Sequence, residues 1–484
     1  MAETLKEKTA KGLFWGGMSN ITQQAVGLVF GIVMARLLDN ADFGMMAMIS
    51  VFSLIATTIQ NSGFTTALAN IDHPRDTDYN SVFWFNIIAG LTGYAILAVA
   101  APLIADYYHT PRLTALCRYA FLSIVLASLG TAQNAWLFKH MMARQQAKAA
   151  MTAVVTSSMT GAACALAGMA YWSLATQGLV YVAVNTLMVW HYSKWRPEVR
   201  NISFKPVRHM FRFSCKILVS NITTIINNNI LNFLLGHYFT ARDTGNYNQA
   251  YQWDFKCFSL IQGMINQVAQ PVLVDLRSES ERQLNALRKM MRFTSFLSFP
   301  LLFGFGLVAH EFIVIAIGTK WLTSAGYLQT LCLAGATMPL FTLLSNMVVS
   351  KGRSGMYLIA TACLGLTEIV TMLAIWSNGI HTMVWAYTII NITWLFVWHA
   401  MVWHLTGYHI GLFFADTLPF ALAAAAVMTV THFATESIAS LWLLLLARIA
   451  MAAVLYYAVM RLAHVEILNE CQTFIINALR KNKN

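Results

Sequence analysis

From Gly12 to about Ala463 one pattern recurs: a long, mostly apolar run, a short polar break, then another apolar run. A bilayer's hydrocarbon core needs roughly 20 mostly apolar residues per spanning helix. The runs predict spans at 12–37, 43–69, 81–105, 113–137, 147–170 and 172–193. A second group follows at 213–239, 245–270, 292–317, 325–349, 355–377 and 381–403, and then 412–434 and 440–462. A transmembrane β-barrel would instead show alternating segments of only about ten residues. The predicted fold class is therefore an all-α membrane protein of about fourteen transmembrane helices joined by short loops.

A shift of 201 positions lays Ser220-Asn221-Ile222-Thr223 on Ser19-Asn20-Ile21-Thr22 and Asp243-Thr244-Gly245 on Asp42-Phe43-Gly44, in one register without a gap. The shift carries span 1 onto span 7, so the two copies have the same orientation across the membrane. Parallel six-helix repeats typify secondary transporters that bind cargo near the midplane between the halves. The predicted organisation is a six-helix bundle at 12–193, a cytoplasmic linker at 194–212, a second bundle at 213–403, two further helices at 412–462 and a cytoplasmic tail at 463–484.

Composition agrees: 57% of residues are hydrophobic and only 11% charged, against about a quarter charged in soluble domains. The formal charge of +12 is unevenly placed. With the N-terminus in the cytoplasm, the even-numbered loops and both tails hold about 24 of the 32 Lys and Arg, which is the positive-inside pattern. The richest stretches are Lys139–Lys148, Lys194–Arg212 and Arg277–Arg292. The excess reads as a topology signal and an anchor to anionic lipid, not as nucleic-acid binding. Both termini are expected in the cytoplasm, and no cleavable signal peptide is expected, since Met1–Lys11 is a short basic, polar lead and the first apolar run is too long for an h-region. The seven cysteines stand singly, four of them (Cys164, Cys257, Cys332, Cys363) inside apolar runs, which disfavours disulfides. His310, His381, His404 and His409 lack metal-ligand spacing, so neither a metal nor another cofactor is expected.

Several short motifs together resemble a known family. They begin with Lys11-Gly12-Leu13-Phe14-Trp15, Ala35-Arg36-Leu37-Leu38, Asp42-Phe43-Gly44, Ser62-Gly63-Phe64 with Ala67-Leu68, and Phe83-Trp84-Phe85-Asn86. Trp172-Ser173-Leu174-Ala175-Thr176-Gln177, Trp195-Arg196-Pro197 and Phe211-Arg212-Phe213 come next. Gly245-Asn246-Tyr247 with Ala250, Gln270-Pro271-Val272-Leu273, Gly318-Thr319-Lys320-Trp321 and Lys351-Gly352-Arg353 complete the series. The chain resembles the Wzx-type polysaccharide flippases of the multidrug/oligosaccharidyl-lipid/polysaccharide exporter superfamily, in particular their lipopolysaccharide and teichuronic-acid branch. Asn40 departs from the pattern, since relatives often carry proline in that loop. The resemblance implies two bundles around a central cavity, alternating access in a bacterial inner membrane, and a cargo of undecaprenyl-pyrophosphate-linked oligosaccharide. It also implies a groove for the lipid tail formed with the last two helices, and other polysaccharide-assembly proteins as possible partners.

Such a cargo needs cations for its pyrophosphate, neutral hydrogen-bonding groups for its glycan and an opening to lipid. Asn221, Asn228 and Asn232 in span 7 are spaced i, i+7, i+11 and share one helix face. Asn20 and Gln24 form an i, i+4 pair in the equivalent span 1. These amides suit cavity lining or hydrogen bonding between helices equally. In span 8, Gln249, Gln252, Lys256, Ser259, Gly263 and Gln267 share one face, opposite Phe258, Ile261 and Ile265. Asp254 points nearly opposite to Lys256, towards a possible cation on another helix.

Arg118, Glu368 and Arg448 are the other ionisable groups singled out within apolar runs, and each demands a partner or a wet cavity. Arg448 suits a structural pair with a carboxylate such as Glu368 as well as it suits cargo contact. Lys256 suits attraction of the pyrophosphate or a structural ion pair. Arg36 and Lys216 lie near span ends and can snorkel, although Arg36 also belongs to a family motif. Trp172, Trp195 and Trp321 are read as interfacial anchors.

Within the superfamily the alternatives are a multidrug antiporter and a peptidoglycan-precursor flippase. A membrane glycan polymerase is disfavoured by the short outward loops and the lack of a catalytic constellation, so the chain is read as a non-enzyme. The sequence leaves the coupling ion, H+ or Na+, undetermined.

Overall fold

The computed structural model describes residues 5–61, 68, 71, 74–199, 205–470 and 472–473; side chains are described from residue 15, and not at 60–61, 205–217 or 220. Ser62-Gly63-Phe64 with Ala67, Phe211-Arg212-Phe213, the side chain of Lys216, much of the linker 194–212 and the end of the tail 463–484 lie outside these residues. Among the described residues every regular element is a helix.

In chain order the helices are α1 Leu5–Leu37, α2 Asn40–Asn61, α3 Asp76–Tyr107, α4 Leu113–Ala120, α5 Leu122–Ser128, α6 Thr131–Lys139, α7 Ala143–Leu166, α8 Tyr171–Tyr192 and α9 Lys205–Tyr238. Then follow α10 Ala241–Asp275, α11 Ser280–Leu307, α12 Ala309–Ala316, α13 Leu322–Gly335, α14 Met338–Ser350, α15 Ser354–Ile375, α16 Ile380–Thr406, α17 Ile410–Thr435 and α18 Leu441–Leu462.

Among the described residues 11 helices are long and apolar enough to cross a membrane, or 12 if the bent pair at 113–139 is one span. α9 and α10, with 34 and 35 residues, have the length but are too polar to join that group. The expected count of fourteen is reached only if both of these polar helices also cross.

Several expected boundaries shift. The fourth span is not one rod: α4 and α5 meet α6 at a bend of 41°. The tenth breaks at Ala336-Thr337 between α13 and α14, ahead of Pro339 in the first turn of α14, where a proline is well tolerated. The basic stretch Arg277–Arg292 is mostly helix, not loop, because α11 starts at Ser280 and extends the ninth span at its N-terminal end.

The chain divides into two compact units, residues 1–245 and 246–484. The break falls one span later than the expected boundary at 194–212, because the C-terminal part of α9 packs on α2 and α3. In the first unit a core of Met45, Met48, Ile49, Ile104, Leu113, Leu116 and Phe121 joins α2 and α3 to the short α4–α5 pair. α1 lies along α7, and α7 along α8, where the small residues of α7 permit close approach; a Cβ at Gly161 would sit 2.9 Å from Gln177.

The segment after α8 is extended and docked. Asn80 bonds both the carbonyl and the amide of Glu198, at 2.9 and 3.0 Å. Trp195, expected at the interface, is buried against Tyr79 and Phe83. Trp321 is likewise fully buried, so packing and not anchoring explains both.

In the second unit α11 carries the two extra helices α17 and α18. Asp416 of α17, buried, accepts from Arg288 at 2.9 Å and from the Tyr408 hydroxyl at 3.0 Å, and forms an ion pair with Arg292 at 3.0 Å. Burial and the Asp416 carboxylate push the Tyr408 phenol well above its ordinary range. Gly407, at φ 72°, supplies the left-handed turn that ends α16 just before this cluster.

Candidate functional site

α10 presents two unlike sides. Trp253, Phe258, Ile261, Ile265 and Ala269 are buried, while Gln252, Gly263, Asn266 and Gln267 are exposed and Lys256 and Ser259 half-buried. Gln249, assigned to the same polar stripe, is buried at 6% exposure; the stripe opens only from Gln252 towards the C-terminal end of α10. Leu260, Met264 and Val268 make an exposed apolar edge beside it. On α9, Asn221 and Asn228 are exposed, whereas Asn232 is buried where the helix packs on α2. On α1, both Asn20 and Gln24 are exposed, as is Arg36 in the last turn. Exposed amides at membrane depth are costly against bare hydrocarbon.

Lys256 rests its ammonium 4.2 Å above the ring of Trp253. Among the described residues it makes no ion pair. Asp254 does not meet the cation expected on another helix: its carboxylate packs against Gly335 of α13.

Arg448 does have a carboxylate partner, but it is Glu311, not Glu368. The guanidinium donates to Glu311 at 2.8 Å and to the Leu307 carbonyl at 3.1 Å, and also reaches Thr435 and His432. Glu311 follows the short break between α11 and α12, inside an apolar run, and that isolated acid was the available sequence signal. Glu368 instead accepts from Asn391 at 2.9 Å. Arg118 is exposed and donates to the Ala98 carbonyl at 3.3 Å.

The repeat register reappears as local geometry. Asp42 caps the amide of Asp39 at 3.0 Å, and Asp243, 201 positions on, caps Thr240 at 3.3 Å. A Cβ on Gly44 would overlap the carbonyl of Ala241, and one on Gly245 would overlap the carbonyl of Asn40. The two contacts exchange under the same shift, so the first turns of α2 and α10 touch backbone to backbone around a local twofold relation, which only glycine permits. Asn40, where relatives often have proline, is buried there at 4% exposure.

An apolar cavity of about 510 Å³ lies between α11 and α18, lined by Phe296, Pro300, Leu301, Phe305, Ile449 and Ala452, with Arg448 at its wall. A smaller one of about 140 Å³, between α10 and α11, is lined by Met264, Val268, Met290 and Phe293. Leu297 lines both.

The family model described as polysaccharide biosynthesis protein matches residues 33–326, more than half the chain. The chain belongs to this family. Among curated proteins, this polysaccharide biosynthesis protein is 24% identical to the lipopolysaccharide biosynthesis protein WzxC of Escherichia coli K12 over 356 residues, 72% of this chain and 71% of that one. It is 23% identical to the teichuronic acid biosynthesis protein TuaB of Bacillus subtilis 168, over 87% of this chain and 88% of that one. Its fold is that of the lipid II flippase MurJ in an inward closed conformation, with a TM-score of 0.72, 14% identity and coverage of 94% and 100%. An outward-facing MATE multidrug transporter matches at a TM-score of 0.51, 14% identity and coverage of 88% and 96%.

Proposed function

We propose that this family member is a flippase that carries undecaprenyl-pyrophosphate-linked oligosaccharide across the bacterial inner membrane, by alternating access, for surface polysaccharide assembly. The observation that carries the reading is the set of exposed amides on α1, α9 and α10, the last two being long helices too polar for an ordinary lipid-facing span. They supply hydrogen-bonding groups for a glycan at a depth where bare lipid would not tolerate them. The similarity to WzxC, TuaB and the succinoglycan transport protein ExoT of Rhizobium meliloti supports the cargo class.

The cargo's chemistry fits the two sides of α10. The amide stripe and Lys256 suit the glycan and pyrophosphate, and the apolar edge with its two cavities suits the lipid tail. A cationic stripe favours an anionic lipid head over the cationic cargo of a multidrug antiporter. In this reading residues 12–193 and 213–403 are the moving bundles, with spans 1, 2, 7 and 8 lining the pathway, and both termini are cytoplasmic. The Gly44–Gly245 contact is the part that parts when the outer side opens.

Lys256 gives the test. In proteoliposomes with defined undecaprenyl-pyrophosphate-linked sugars, wild type flips the lipid. Lys256→Ala, made in normal yield, loses flipping by about tenfold or more, the equivalent of one charge-assisted contact worth about 1.5–3 kcal/mol, while Lys256→Arg retains part. Wild-type flipping by a normally folded alanine variant would sink the cargo role of Lys256, and inert wild type would sink the flippase reading.

A further inference from the structure

Among the described residues the broken tenth span, α13 with α14, is the most enclosed of the membrane-crossing candidates. One edge of α14 is nevertheless open. Along that helix only Met338, Phe341, Thr342, Asn346 and Val349 are not buried, and they share one side because residues three and four apart are neighbours.

Two polar rungs join this edge to α10, one helical turn apart on both helices. Gln262 Nε2 donates to Thr342 Oγ1 at 2.9 Å and to the Met338 carbonyl at 3.3 Å. Asn346 Nδ2 donates to Asn266 Oδ1 at 3.1 Å. The rungs differ in what they leave over. The Thr342 hydroxyl donates to the Met338 carbonyl at 3.0 Å, so the donors of the first rung are taken up inside the protein. In the second rung Asn266 is exposed and Asn346 half-buried, and among the described residues their side chains make no other hydrogen bond. One amide therefore keeps its NH2 group open and the other its carbonyl, whichever way the two amides are turned.

The surroundings favour hydroxyls. Gly263 lies one turn before Asn266, and a Cβ there would meet nothing within 4 Å, so open space adjoins the pair. Between Lys256 and Asp275 α10 carries no Asp, Glu, Lys, Arg or His, and α14 carries none at all. The place thus offers no ionic partner to a pyrophosphate. A fixed donor beside a fixed acceptor instead matches two neighbouring hydroxyls of a sugar ring, since each hydroxyl can both donate and accept.

We propose that Asn266 and Asn346 form a sugar-reading subsite in the second unit, specific for adjacent ring hydroxyls on the cargo glycan. Asn346 is the contribution of the tenth span to the pathway. The Gln262–Thr342 rung positions α10 against α14 and touches no sugar. The inference rests on the flippase reading above and narrows its substrate class to glycans that present such a hydroxyl pair.

Binding and transport are measured separately on the full chain. The purified protein is titrated calorimetrically with short-chain prenyl-pyrophosphate-linked glucose, galactose and mannose. Each is set beside its 3-deoxy analogue, in which no two neighbouring ring hydroxyls remain. Wild type is expected to bind at least one hexose about threefold to tenfold tighter than its analogue, the worth of one net hydrogen bond. Asn266→Leu and Asn346→Leu each bring that ratio close to one, while Thr342→Val, which opens the neighbouring rung, keeps it. Flipping rates of the undecaprenyl-linked sugars in proteoliposomes follow the same ratios. Wild type that distinguishes no hexose from its analogue overturns the proposal, as does a ratio kept in both leucine variants. A ratio lost equally in Thr342→Val also overturns it, in favour of amides that only join the helices. Should the leucine variants fail to fold, Asn266→Ala and Asn346→Ala carry the same readouts. Wild type that binds with the expected ratio but flips no lipid sinks the flippase reading and leaves the subsite standing.

Discussion

At the scale of single residues, a charge buried in a membrane protein calls for a local partner. Arg448 is the clearest case, with its donors spread over Glu311, the Leu307 carbonyl, Thr435 and His432. Removing one member of a buried pair leaves the other uncompensated, at about 3–5 kcal/mol, whereas removing both is far milder. Arg448→Met is therefore expected to destabilise the chain by about that amount, and Arg448→Met with Glu311→Leu to recover most of it, measured by unfolding in detergent as a double-mutant cycle. An Arg448→Met protein as stable as wild type would mean that the guanidinium serves cargo and not structure. The apolar run around residue 448 announced that Arg448 needed a carboxylate. Which carboxylate answered depended on how α18 lies against α12, which no local spacing encodes.

Among the elements, the short contact between the first turns of α2 and α10 is the most constrained. Both helices begin with the same aspartate cap, three residues after the bonded amide, and both place glycine two residues later. Gly44→Val or Gly245→Val must push the two backbones apart, and Gly→Ala less so. Asn40 is buried in this contact, so maleimide labelling of Asn40→Cys should rise several-fold in the Gly245→Val background, with flipping impaired. Unchanged labelling and transport would show that the contact neither closes nor guides anything. The repeat register located both glycines, but their mutual contact required the fold.

For the molecule as a whole, the basic residues fix an expected orientation that accessibility can test. Thr319 and Arg242 are exposed at positions expected to face outward, Lys148 and Arg282 at positions expected to face the cytoplasm. Single cysteines at Thr319 and Arg242 are expected to react with an impermeant maleimide in intact cells, and those at Lys148 and Arg282 only after lysis. Labelling at Lys148 in intact cells would invert the topology. The uneven stability of the assembly also acts at this scale. α17 is tied to α11 by the Asp416 cluster, and α18 is tied to α12 by the Arg448–Glu311 pair and to the end of α11 through the Leu307 carbonyl, so these helices are expected to move as one body and to exchange backbone hydrogens more slowly than α9 and α10.

The run lengths alone determined that the chain is helical and membrane-embedded, because hydrocarbon thickness and backbone hydrogen bonding leave no other arrangement for such segments. The 201-residue register, a one-dimensional property, likewise survived as matching caps and a matching glycine contact. The polar stripe of α10 was legible because a helix converts spacing into direction. Tertiary structure alone decided which parts of that stripe stay open: Gln252 and Gln267 do, while Gln249 and Asn232 are packed away. It also decided that Glu311 takes Arg448, and that Asp254 and Glu368 are left without cations. Spacing gives the direction of a side chain from its own helix; its partner depends on how neighbouring helices are placed, and that placement is a sum over many weak contacts that no short segment contains.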